Sequence, residues 1–131
     1  MNAVTGLHQV AQHADDLDRA VAFYRDVVGL RHIATFEPPG LAFLDLSGVR
    51  LLLERGAQPS TLYLRVADVE AACAALRERG VEIEHEPHVI HQDQEGVFAT
   101  PGEEEVQAFF RDSEGNLVGL AARRMPRPAE G

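Results

Sequence analysis

The chain has 131 residues with 21 acidic and 12 basic side chains, a formal net charge of −9, 45% hydrophobic and 25% charged residues, the balance of one ordinary folded domain rather than a disordered segment. The acidic balance, with no basic cluster larger than Arg123-Arg124, argues against a nucleic-acid partner, whose phosphates require a basic face, and no apolar run reaches the length of a membrane span. One cysteine, Cys73, excludes an intramolecular disulfide and a Cys-rich zinc site, and neither a basic start nor an apolar stretch marks a secretory leader, so the expected compartment is the cytoplasm.

In chain order, a strand is expected over residues 8–13. Residues 16–28 then read as an amphipathic helix, with Leu17, Ala20, Val21, Tyr24 and Val28 three and four apart. Asp16 stands where an N-cap carboxylate accepts free backbone N–H groups, and Gly29 where a left-handed residue ends the helix. Strands are expected at 30–36, 41–46 and 49–54, separated by Glu37-Pro38-Pro39-Gly40 and by Ser47-Gly48. After a connector at 56–60 the pattern starts again. A strand over 61–66 precedes a helix with Asp68 as its cap, Val69, Ala72, Cys73 and Leu76 as its apolar stripe, and Gly80 as its stop. A strand follows at 81–86, with 98–100 extending the pairing, and a hairpin joins 106–111 to 117–122 across the turn at 112–116. Glu103, Glu104 and Glu105 are expected in a solvated turn, Cys73 as a buried thiol, and residues 125–131 as a frayed tail.

The two series are copies of one another. Asp16-Leu17-Asp18-Arg19-Ala20-Val21-Ala22 aligns with Asp68-Val69-Glu70-Ala71-Ala72-Cys73-Ala74 at an offset of 52 residues, and Arg25-Asp26 with Arg77-Glu78. Gly29-Leu30 then matches Gly80-Val81 with one residue dropped. Each copy is strand, helix and about three strands. One helix covers one face of its sheet and leaves the other to be covered by something else. The expectation is an α+β fold: a single domain over 1–131, built of βαβββ modules at 5–55 and 61–124, with a curved mixed sheet around a cup that suits a small molecule.

The segments His8-Gln9-Val10, Asp16 to Tyr24 and Val28-Gly29-Leu30, together with the closing hairpin Phe109-Phe110-Arg111-Asp112-Ser113-Glu114-Gly115-Asn116-Leu117, resemble the vicinal oxygen chelate superfamily. That group includes glyoxalase I, methylmalonyl-CoA epimerase, extradiol dioxygenases, and fosfomycin- and bleomycin-resistance proteins. Ser113 replaces the proline usual in that hairpin. The resemblance spans about residues 5–124 and implies paired βαβββ modules, commonly in a homodimer. It also implies a divalent metal held by ligands on the first and fourth strand of each module, where two adjacent substrate oxygens bind and an enolate-like charge is stabilised.

Carried over position by position, the resemblance puts the first ligand on His8, the second on Leu51 or Leu52, the third on Thr61 or Leu62, and the last on Gly119. Leucine and glycine side chains coordinate nothing, so the usual site is expected to be absent; Glu54 would serve beside His8 only in a shifted register. The string His85-x-x-His88-x-x-His91 puts His85 and His91 on one face of a regular strand and His88 on the other, and a bulge near Pro87 would change that parity. His8 is the candidate catalytic residue, as ligand or as a general base able to titrate near neutrality, aided by His88 or Glu54. Gln12, Tyr63, Arg65 and Phe109 are the candidate ligand-binding residues, Arg65 for a carboxylate or phosphate. The expected function is binding of a small molecule without the usual metal, in a homodimer of the resistance-protein kind; the alternative is a metal-dependent lyase, epimerase or dioxygenase using His8.

Overall fold

A computed structural model describes residues 4–128. The first series runs β1 (Gln9–His13), α1 (Leu17–Ala22), a π-helical segment (Phe23–Val28), β2 (Arg31–Phe36), β3 (Leu41–Leu46) and β4 (Val49–Glu54). The second runs β5 (Leu62–Arg65), α2 (Val69–Glu78), β6 (Ile83–Asp93), β7 (Glu103–Arg111) and β8 (Leu117–Arg124). This is the expected pair of βαβββ modules in an α+β fold. Each forms a four-stranded mixed sheet, ordered β1-β4-β3-β2 and β5-β8-β7-β6, in which only the β1–β4 and β5–β8 pairs are parallel.

The local signals act as their chemistry requires. Asp16 accepts the Arg19 N–H at 3.1 Å, and Asp68 accepts the Ala71 N–H at 3.0 Å. Gly29 and Gly80 take φ of 94° and 85°, the left-handed conformation that closes a helix at little cost in glycine. The first helix is not uniformly α-helical, however: its second half widens into the π form from Phe23 onward.

The chain divides into two compact units. The first holds the residues up to Ser60 together with Asp112–Asn116, and the second holds 61–111 and the residues from Leu117 onward. In the first unit Leu17, Ala20, Val21 and Tyr24 are buried with Ala42, Leu44, Leu51 and Leu53. The turn at 112–116 is part of this core. Asp112 accepts the Tyr24 hydroxyl at 2.6 Å, and Asn116 Nδ2 donates to the His13 carbonyl at 2.8 Å. In the second unit Val69, Cys73 and Leu76 of α2 are buried along with Leu62, Leu64, Val106, Ala108, Phe110, Val118 and Leu120. Cys73 is the expected buried thiol, and burial raises its pKa.

Three expectations are corrected. The strand after α2 starts at Ile83 and runs on to Asp93, while 98–100 is not a strand. Glu103, Glu104 and Glu105 lie in β7 rather than in a solvated turn, and Glu104 and Glu105 face Arg124 and Arg123 of β8 at 3.2 and 3.5 Å. That pairing neutralises the one basic doublet. Of the tail, Met125–Pro128 carries no regular structure, and residues 129–131 lie outside the described residues.

Candidate functional site

The face of the second sheet away from α2 follows from the alternation of burial. In β5 Leu62 and Leu64 are buried while Tyr63 and Arg65 are exposed, and in β7 Val106, Ala108 and Phe110 are buried while Glu105, Gln107 and Phe109 are half-buried. The strand register then sorts the outer face into rows. The first row is Tyr63, Gly119, Phe109 and His85; the second is Arg65, Ala121, Gln107 and His88; the third is Arg123, Glu105 and His91. Successive rows are two residues apart along the strands, roughly 7 Å.

The three histidines reach successive rows because β6 is irregular. Its register shifts between Ile83 and His85, between His85 and His88, and between Val89 and His91. A spacing of three on β6 thereby meets a spacing of two on β7. The split faces expected of a regular strand do not arise; the bulge near Pro87 does.

The first row is aromatic. Phe109 meets the Tyr63 ring edge to face at 5.7 Å between centroids and the His85 ring at 5.8 Å. Gly119 lies beneath them, and a Cβ there would come within 2.9 Å of both the Tyr63 and the Phe109 rings. In the second row Arg65 is exposed, and His88 Nδ1 lies 2.9 Å from the Glu86 carbonyl, to which it donates.

The third row is closed on itself. Arg123 donates to buried Asp93 at 2.8 Å and lies 5.3 Å from the centre of the Phe98 ring. Asp93 also accepts the Phe98 and Val97 N–H groups at 2.9 and 2.7 Å. The Phe98 N–H is the strongest influence holding the Asp93 carboxyl below its ordinary range, with Val97 and Arg123 adding to it against the cost of burial.

The first unit treats the equivalent positions differently. Arg50 donates to Gln9 Oε1 at 3.0 Å and to His8 Nε2 at 3.2 Å, with its guanidinium 5.3 Å from the centre of the Phe43 ring. The offset of 52 residues turns Ala11 into Tyr63, and the parallel pairs Ala11–Leu52 and Tyr63–Gly119 coincide. Leu52 is therefore the counterpart of Gly119, and Gln9, not His8, is the counterpart of Thr61. Leu51 lies on the face of Leu53, and Leu62 on that of Leu64, while Leu52 and Thr61 lie on the opposite faces.

Several sequence-based candidates change role. Gln12 is completely buried: its Oε1 accepts the Ser60 N–H at 2.9 Å and its Nε2 donates to the Ser60 carbonyl at 2.6 Å, so its amide fastens the connector and offers nothing to a ligand. His8 lies before β1, exposed, with Nε2 already accepting from Arg50. The His8 carbonyl accepts the Arg50 N–H, and Glu54 stands four residues further along β4, roughly 13 Å away at about 3.3 Å per residue, so His8 and Glu54 do not share an ion. Tyr63, Arg65, Phe109 and His88 do come together on one face. His85 was not among the candidates; its signal lies in the strand register, which spacing alone does not give.

The donor set does not suit a divalent cation. The first unit offers the Gln9 amide beside a leucine, and the second a threonine hydroxyl beside a glycine covered by two rings. Among the described residues, no three His, Cys, Asp or Glu side chains gather as a metal-holding group.

Comparison with known proteins agrees with this architecture. Residues 6–120 match the family model of the Glyoxalase/Bleomycin resistance protein/Dioxygenase superfamily. Among solved structures, TnmS3, an antibiotic binding protein from Streptomyces sp. CB03234, is 27% identical with a TM-score of 0.66, covering 92% of this chain and 97% of that one. A lactoylglutathione lyase from Agrobacterium tumefaciens is 23% identical with a TM-score of 0.71, covering 92% and 95%, and shares the fold. A superfamily member from Sphaerobacter thermophilus is 17% identical with a TM-score of 0.70, covering 90% and 97%. No curated protein sequence matches. No helix among the described residues is long and apolar enough to cross a membrane.

Proposed function

We propose that this chain, which belongs to the Glyoxalase/Bleomycin resistance protein/Dioxygenase superfamily, is a small-molecule-binding member that works without the family's divalent metal. The observation that carries this reading is Gly119. At the position onto which the resemblance puts the last ligand, the chain has no side chain, and the rings of Tyr63 and Phe109 occupy the space a Cβ would need. A glutamate there would have to displace both rings before it reached an ion. The face thus presents a patch of aromatic rings, which suits contact with an apolar ligand surface. The likeness to TnmS3, itself described as antibiotic binding, supports sequestration over turnover. A homodimer belongs to the same reading.

Native mass spectrometry of untagged protein, purified without chelator, tests it. The expected result is a metal-free dimer that carries, or takes up, an organic molecule. About one divalent ion per chain, retained through desalting, would overturn the reading and restore metal-assisted chemistry.

A further inference from the structure

Arg65 is the starting point. The chain has 12 arginines against 21 carboxylates, and all of the arginines fall within the described residues. Ten of the other eleven hold a partner directly: Arg19 on Glu114, Arg25 on Asp26, Arg31 on Asp45, Arg50 on Gln9, Arg55 on Glu37, Arg77 on Glu86, Arg111 on Glu84, Arg123 on Asp93, and Arg124 and Arg127 on Glu70. Arg79 also has an interaction of its own. Among the arginines of the described residues, Arg65 alone has a side chain with no hydrogen bond and no ion pair. In so acidic a chain a guanidinium without a carboxylate is a cation whose five donors are available to something else.

Its place in the sheet says what that is. Arg65 projects from the same face of β5 as Tyr63, two residues on, so its base stands roughly 7 Å from the aromatic row. Between the ring row and the closed Arg123 row the floor is Ala121, the smallest side chain of its row, with Gly119 behind it already covered by the Tyr63 and Phe109 rings. The carboxylate nearest by register, Glu105, is taken by Gln107 at 2.7 Å and by Arg123 at 3.5 Å.

Resting on the binding function proposed above, we infer that the outer face of the second sheet takes a planar aromatic anion. Its ring system packs over Ala121 against the exposed Tyr63 ring and the neighbouring Phe109, and its carboxylate or sulfonate is held by Arg65. The rings supply area and orientation. The guanidinium supplies the choice of charge, through a bidentate, charge-assisted pair at the edge of an apolar floor.

Titration calorimetry with naphthalene-2-carboxylate and its neutral counterpart 2-naphthalenemethanol, on the full chain, tests the inference. The carboxylate is expected to bind one per chain and about tenfold or more tightly than the alcohol, and Arg65→Gln is expected to bring the two probes level. Arg65 is exposed and unpaired, so its replacement leaves the fold in place, which circular dichroism checks. Equal binding of both probes by the unaltered protein, weakened by Phe109→Leu, would overturn the anionic class while leaving a small-molecule surface in place. A carboxylate preference that survives Arg65→Gln would overturn the assignment of the cation. Binding of neither probe at millimolar concentration would overturn the inference altogether, whereas the metal content measured by mass spectrometry decides the underlying function separately.

Discussion

Glu114 lies in the turn that the second half of the chain lends to the first unit, and it ties that turn to the first helix. Its side chain is 1% exposed and makes a two-point contact with Arg19, at 2.7 and 3.0 Å. It also accepts the Asp16 N–H at 2.8 Å and the Ser113 hydroxyl at 2.9 Å. Burial by itself pushes this carboxyl up, but the Arg19 guanidinium, the Asp16 N–H and the Ser113 hydroxyl together outweigh it and hold the pKa at about 2, against an ordinary 4.5. A depressed pKa means that the unfolded chain binds a proton the folded one refuses. The stabilisation is therefore complete above about pH 4.5 and is lost as pH falls toward 2. At about 1.4 kcal/mol per pH unit the full gap would be worth about 3 kcal/mol, and the half-exposed guanidinium reduces that to roughly 2. Glu114→Gln keeps the shape and removes the charge. The variant is expected to be less stable by about 2 kcal/mol at pH 7, and the difference is expected to shrink by more than half at pH 3. Urea unfolding of both proteins at the two pH values measures it, and the comparison cancels every other carboxylate that titrates in both. A difference that stays constant with pH, or that is absent at pH 7, would refute the argument.

Other outcomes follow from the same contacts. Tyr24→Phe deletes a buried hydroxyl whose pKa burial and Asp112 push upward, so it stays a donor; the variant is expected to lose about 1.5–3 kcal/mol in urea unfolding, and an unchanged midpoint would contradict the bond. Gly119→Ala places a Cβ within 2.9 Å of the outer atoms of two side-chain rings, which are able to swing aside, and Gly119 has no positive φ to strain. Its stability is expected to stay within about 1 kcal/mol, while naphthalene-2-carboxylate binding weakens about tenfold; full retention of binding would remove the ring row from the site. Asp93→Ala frees the N–H groups of Val97 and Phe98 and leaves Arg123 without its closest partner. Chymotrypsin is expected to cut at exposed Phe98 about tenfold faster, and an unchanged rate would show that the segment is held by something else.

The parts of the fold that were legible are those written in local chemistry. Asp16 and Asp68 cap the helices, Gly29 and Gly80 end them, and β3 and β4 start and stop at the expected residues, because a cap, a left-handed glycine and a run of alternating apolar residues each act within a few positions. Illegible parts depended on distant partners. Alternation put Gln12 with Val10, but only the pairing of β1 with β4 shows that theirs is the helix side, where Leu51 and Leu53 are also buried. Glu103 to Glu105 resembled a solvated acidic run until Arg123 and Arg124 came alongside on β8. The same holds for the histidine string, whose spacing of three acquires a common face only through the bulges of β6.

The candidate site follows from what the two copies of the module did with one position. In the first, the row is Ala11, Leu52 and Phe43, and Leu52, 8% exposed, occupies the floor between a methyl group and a ring. In the second, the row is Tyr63, Gly119 and Phe109: the large flanking rings close over a residue with no side chain. Exchanging large and small residues between neighbouring positions keeps the packed volume similar, so both sheets tolerate it, and it replaces an aliphatic floor with an aromatic cover. Neither arrangement restores a carboxylate or an imidazole at these positions. Neither a leucine that fills its row nor a glycine under two rings supplies a ligand atom, so the proposed recognition rests on what stands beside them, and only the second copy has an unpaired cation there, Arg65.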